Sequence, residues 1–152
     1  MVGLIEEFMT VEHVRADRLL EEAAPDDSVV DLQAYTEFRQ SMLRHIAMEE
    51  KVLLPFIRAK RDGQPLPYEK SIHSDHGKIA RLLVPTPTRA LISELRLLLA
   101  RHNVLEEGPE GLYATCDKLA GEGAADLLEQ LERTPAVPMA PHYDGPLVHR
   151  VH

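Results

Sequence analysis

Apolar residues recur along most of this chain at the three-to-four-residue spacing of an amphipathic helix. The first such run spans about residues 4–22, with Leu4, Ile5, Phe8, Met9, Ala16, Leu19 and Leu20 as its apolar set. Ala24, Pro25, Asp26, Asp27 and Ser28 end it. The second runs over about 31–60, where Leu32, Tyr35, Met42, Ile46, Leu53 and Ile57 share one face. Pro55 is expected to bend that helix or end its regular part. After a loop over 62–67, a third run starts near Pro67 or Tyr68 and carries Ile72, Ile79, Leu82 and Leu83. The segment 85–88 closes it and offers an N-cap to a fourth run from Arg89, with Leu91, Ile92, Leu95, Leu98, Leu99 and Leu105 inward.

Gly108 and Pro109 are expected to interrupt the fourth helix, with a continuation over 112–119 and a short helix over 124–132. Pro135, Pro138, Pro141 and Pro146 then interrupt a segment without helical period. Short loops between helices of similar length favour antiparallel neighbours. The predicted fold is all-α: an up-down-up-down four-helix bundle with a short C-terminal helix and an extended Pro-rich tail. Residues 1–133 form the bundle with its helical extension, and 134–152 the tail, either disordered or laid across the bundle.

Some polar residues break the apolar stripes. With Leu95 set at zero on the fourth helix, Leu99 lies at roughly 40° and Leu98 at roughly 300°. His102 then falls at roughly 340° and Glu106 at roughly 20°, in the middle of the stripe and one turn apart. The second helix repeats this pattern: Glu49 is close to the stripe's centre and His45 nearer its edge. His13 lies at the edge of the first helix's stripe. On the third, His76 shares the direction of Ile72 and Ile79, while His73 points roughly 60° further round. His76 is therefore the preferred inward group. His73 could join it, since i, i+3 residues are neighbours on a helix. Glu12, Asp17, Glu50 and Glu107 read as exposed charges by default, although Glu12 falls inward by periodicity.

An ionised carboxylate buried without partners costs several kcal/mol even after relaxation. Two of them, with inward imidazoles, would burden a domain whose net stability is about 5–15 kcal/mol. A metal removes the difficulty, because imidazole and carboxylate suit iron, manganese or zinc. The i, i+4 spacing brings both side chains within reach of one ion. The competing reading is a metal-free bundle whose polar interior is satisfied by hydrogen bonds and water.

Composition narrows the partners. The formal net charge of −8 argues against a broad basic surface for nucleic acid or an anionic membrane. No stretch approaches the roughly 18 apolar residues of a membrane helix, and the first residues lack the pattern of a signal peptide. The single cysteine, Cys116, excludes a disulfide within the chain and reads as a small buried residue. A cytoplasmic location is expected. His142, His149 and His152 in the tail read as solvated side chains, or else as an accessory metal site or lid contact.

The order and spacing of these residues resemble the hemerythrin-like, or HHE cation-binding, family over about residues 4–119. The resemblance rests on Glu12 with His13; His45, Glu49 and Glu50 followed by Leu53, Leu54 and Pro55; Asp75 and His76 with Ile79; and His102, Glu106 and Glu107. It implies a four-helix bundle with a non-haem di-iron centre, although other divalent metals could serve. By that pattern Glu49 and Glu106 bridge two irons, His13 and His45 are terminal ligands to one, and His76 and His102 serve the other. Oxygen-carrying members place two histidines at i, i+4 on the third helix, whereas His73 and His76 are spaced i, i+3. The fourth helix departs too, with Gly108, Pro109, Glu110 and Gly111 just past its glutamates.

The resemblance thus implies a di-iron protein that binds or reacts with O2, nitric oxide or peroxide, in sensing, iron handling or redox protection rather than plain O2 transport. The alternative is a metal-dependent signalling or protein-binding module without catalysis. A protein partner and a homo-oligomer are both compatible with the acidic surface.

Overall fold

Each amphipathic run forms a helix in the computed structural model, which describes residues 2–25 and 29–146. Helix α1 spans Leu4–Ala23, α2 Leu32–Met48, α3 Leu54–Lys60, α4 Glu69–Leu82, α5 Arg89–Glu106, α6 Leu112–Ala120 and α7 Ala124–Glu132. The π-helical turn Glu49–Leu53 joins α2 to α3. The α1, α2–α3, α4 and α5 rods run up, down, up and down, and α6 and α7 close one end. No helix among the described residues is long and apolar enough to cross a membrane.

Local chemistry sets several of these boundaries. Asp31 caps α2 by accepting the Gln33 and Ala34 N–H groups at 3.0 and 3.1 Å. Thr88 caps α5 by accepting from the Leu91 N–H at 3.1 Å. The cap of α1 is tertiary: Asp117 on α6 accepts the Ile5 and Glu6 N–H groups at 2.9 and 3.0 Å. Gly3 permits that approach, since a Cβ there would lie 2.2 Å from the Asp117 Cγ.

Pro55 neither ends the second rod nor stays within regular helix. In an α-helix its ring would crowd the carbonyl four residues earlier. The wider turn just before it absorbs the clash, and the Leu54 N–H reaches the Glu49 carbonyl five residues back. The turn begins at Glu49 itself, a residue the sequence places at the centre of the stripe.

Two apolar clusters fill the bundle. One gathers Leu20, Tyr35, Phe38, Met42, Ile79, Leu95 and Leu99 toward the α1–α2 and α4–α5 connections. The other gathers Ile5, Met9, Met48, Leu53, Ile57, Ile72, Tyr113 and Leu127 at the end closed by α6 and α7. Leu4 and Leu32 do not join them: each opens its helix and is about half exposed, at 45% and 56%.

Residues 134–146 are non-helical and lie across the bundle. Arg44 Nε donates to the Thr134 carbonyl and Arg39 Nη1 to the Ala140 carbonyl, both at 2.8 Å. The Tyr143 N–H reaches the Val84 carbonyl at 3.0 Å, and Thr86 Oγ1 donates to Asp144 at 2.8 Å. His142 packs near Tyr35 and the Val84 carbonyl, so it makes neither a lid over the inward histidines nor a ligand among them. His149 and His152 lie outside the described residues.

Candidate metal centre

Between the two apolar clusters lies a polar slab. His13, His45, His76 and His102 are buried, and Glu49 and Glu106 are fully so, at 0% exposure. They come from α1, α2, α4, α5 and the π-turn.

The side chains form two groups of four. One contains His13, His45, Glu49 and Glu106, and the other Glu49, His76, His102 and Glu106. Within each, one nitrogen or oxygen per residue lies within 4.8 Å of all the others. Glu49 and Glu106 belong to both groups. In the first, the Nε2 atoms of His13 and His45 are 3.1 Å apart, His45 Nε2 is 3.0 Å from Glu49 Oε2, and His13 Nε2 is 3.1 Å from Glu106 Oε1. In the second, His76 Nε2 lies 2.8 Å from Glu49 Oε1 and His102 Nε2 lies 2.8 Å from Glu106 Oε2.

Three of the imidazoles are turned by outer carboxylates. His13 Nδ1 makes a short contact with Glu107, His76 Nδ1 meets Glu50 Oε2 at 2.7 Å, and His102 Nδ1 meets Asp75 Oδ2 at 3.0 Å. A neutral imidazole that gives its Nδ1 proton to a carboxylate presents a bare lone pair at Nε2. Those lone pairs face other lone pairs on Glu49 and Glu106. The arrangement is repulsive unless a proton or a cation sits between them.

The proton affinities show the same tension. Burial alone would lower His45, but Glu49 and Glu106 outweigh it and push its pKa up to about 10. Burial opposes protonation of His76 as well, and Glu106, Glu49 and Glu50 raise it to about 10. His102 is raised against burial by Glu106, Glu49 and Asp75. For Glu106, burial favours the neutral acid, yet its bonds to Glu49, His102, His13 and His45 hold the carboxyl well below the usual range. The interior is built to surround positive charge. Four imidazole nitrogens and two shared carboxylates fit two divalent cations such as iron, manganese or zinc.

The structure brings together His13, His45, Glu49, His76, His102 and Glu106. It leaves His73 outside. That ring is exposed, with Nδ1 2.7 Å from Glu50 Oε2 and Nε2 3.3 Å from Glu69 Oε2. Glu69 is in turn buried against Arg58, with a contact of 2.5 Å. Glu12 stays partly buried, 3.8 Å from Arg44, and points into neither group.

Two expectations need correcting. Glu50 and Glu107 are not merely solvated charges, because each holds a buried histidine from another helix. The repeated Glu-Glu pairs carried the signal: the first of each pair turns inward and the second reaches sideways. Tyr113 was also missed. Its Oη lies 2.8 Å from His13 Nε2, 3.0 Å from His45 Nε2 and 2.9 Å from Glu106 Oε1, and it makes a short contact with Glu49 Oε2.

A cavity of about 10 Å³ touches all four histidines and Glu106, roofed by Met42, Ile46, Ile79 and Leu99. That is about the room one water occupies.

Fold and site together define a metal-binding helical bundle. The family model for the hemerythrin HHE cation binding domain matches residues 4–116, most of the chain, and the chain belongs to that family. Neither a curated protein nor a solved structure gives a significant match.

Proposed function

We propose that this chain is a non-haem di-iron protein that binds or reacts with O2, nitric oxide or peroxide, serving in sensing, iron handling or redox protection. The observation that carries the reading is the pair of buried donor groups joined by the same two carboxylates. Glu49 and Glu106 would be shared by the two irons, with His13 and His45 holding one and His76 and His102 the other. When bound, the iron pair supplies electrons and open coordination positions for a small molecule.

The chain's own residues do the rest. Glu107, Glu50 and Asp75 hold three imidazoles with Nε2 inward, the outer bond that sets tautomer and orientation in metal-ligating histidines. Met42, Ile46, Ile79 and Leu99 give the four histidines an apolar lining, the kind of shell that tunes a metal site. With His73 held on Glu50 and Glu69, the third rod of the bundle supplies one imidazole to the pair. That favours sensing or redox chemistry over reversible O2 carriage. Cys116 is buried and its thiol is pushed up by burial, so it packs rather than reacts, in a chain we place in the cytoplasm.

The test is elemental analysis of protein expressed with iron, with visible spectra before and after reduction. About two irons per chain, with a spectrum that bleaches on reduction, is the expected result. No metal under any loading condition would sink the reading, and one zinc per chain would remove its redox part. A second reading, a metal-dependent protein-binding module, draws on the exposed Val11 and Val14 of α1 and Val2 just before it. It predicts a partner or a dimer whose affinity changes with metal loading, measurable by size exclusion and light scattering.

A further inference from the structure

The phenol of Tyr113 stands inside the first donor group rather than on its wall. Four atoms of that group surround its Oη at hydrogen-bond distance or less: His13 Nε2, His45 Nε2, Glu49 Oε2 and Glu106 Oε1. Few protons serve this cluster. The phenol carries one proton, ionised carboxylates only accept, and His13 spends its Nδ1 proton on Glu107. Several lone pairs therefore converge where few protons are available. A cation among them would accept a lone pair from each, the phenol oxygen included.

The backbone holds the phenol there. Gly108 takes φ +90°, and a Cβ on Gly111 would lie 2.5 Å from the carbonyl oxygens of Glu106 and Glu107. Those two glycines let the chain reverse directly after Glu106, so α6 starts beside the site and inserts Tyr113 at its second position. Asp117, one turn on, ties α6 to the start of α1. The other tyrosines are elsewhere: Tyr35 packs with Phe38, Tyr68 donates to the Glu110 carbonyl and Tyr143 to the Pro146 carbonyl.

We infer that Tyr113 is a protein ligand, through its phenolate oxygen, to the cation held by His13 and His45. The inference rests on the di-iron reading of the two groups. On binding, the cation replaces the phenol proton, which is released to solvent. The two metal positions are then unequal. One has five protein donors: His13, His45, Glu49, Glu106 and Tyr113. The other has four: His76, His102, Glu49 and Glu106. A small exogenous ligand accordingly binds on the His76 and His102 side.

The test is spectroscopic and uses the full chain loaded with ferric iron, its iron content measured first. Wild-type protein is expected to show a visible tyrosinate-to-ferric charge-transfer band. Resonance Raman excitation in that band should show tyrosine ring modes that shift when the protein is grown on ring-deuterated tyrosine. Tyr113→Phe, still carrying iron, should lose the band, and Tyr68→Phe should keep it. The labelled wild type decides the matter even where Tyr113→Phe folds poorly. Two irons without tyrosine ring modes would overturn the inference and leave the di-iron reading standing, as would a band that survives in Tyr113→Phe. A chain that binds no iron would overturn both.

Discussion

The two imidazole pairs are built alike and supported differently. Their ring centroids are 4.7 Å apart for His13 and His45 and 5.0 Å apart for His76 and His102, and both pairs face the same two glutamates. The first pair meets the Tyr113 phenol, delivered by a helix outside the four main rods. The second has no phenol; both of its rings are gripped from behind, by Glu50 and Asp75. Donor type therefore follows from helix period, while donor number and rigidity follow from whatever packs behind each ring.

The largest effect should come from residues common to both pairs. Glu49→Ala or Glu106→Ala takes a carboxylate from each group at once, so iron content by elemental analysis is expected to fall from about two per chain to less than one. Retention of both irons in either variant would refute the shared-carboxylate arrangement.

The next effect separates the pairs. His76→Ala is expected to lose one iron or destabilise the pair, whereas His73→Ala keeps both, because His73 is held outside on Glu50 and Glu69. If the two variants lose iron alike, the third rod supplies two ligands rather than one.

Outer carboxylates should matter less than ligands. Glu50→Ala, Glu107→Ala and Asp75→Asn are each expected to retain metal but to weaken it by about 10–100-fold in a chelator competition. Glu50→Ala and Asp75→Asn should act through His76 and His102, and Glu107→Ala through His13. Affinities identical to wild type would show that these contacts do not orient the rings.

The mildest effect is a pH trend in the metal-free protein. His45 and His76 are raised from 6.5 to about 10 in the fold, so between those limits the native state binds more protons than the unfolded chain. Their stabilisation is complete below about pH 6.5 and is lost as the pH rises through about 10. Thermal melts of chelated protein should show Tm falling across that window. A Tm that stays flat or rises there would mean that the fold does not hold extra protons on these imidazoles. Iron affinity should run the other way and weaken as the pH drops, since each bound metal displaces protons from its ligands.

Much of this architecture was legible in the residue pattern. A stripe of Leu, Ile and Met at helical spacing names the inward direction of each helix, and Glu49, His76, His102 and Glu106 stood out because they occupied that direction. The breaks at Pro55 and at Gly108 with Pro109 were visible as well, although not their outcomes. Pro55 is absorbed by the π-turn that starts at Glu49, and Gly108 with Gly111 turns the chain back into the site instead of merely ending α5. Periodicity describes a side chain's direction about its own axis and says nothing of what stands across the gap. Sequence alone therefore determined the helices and their stripes, and it placed Glu49, His76, His102 and Glu106 inward with His13 and His45 at the stripe edges. Tertiary packing decided that Glu50, Glu107 and Asp75 would meet rings from other helices, that the tail would cross Arg39 and Arg44, and that Tyr113 would enter the polar slab. Each of these depends on contacts between segments distant in the chain, which no local spacing encodes.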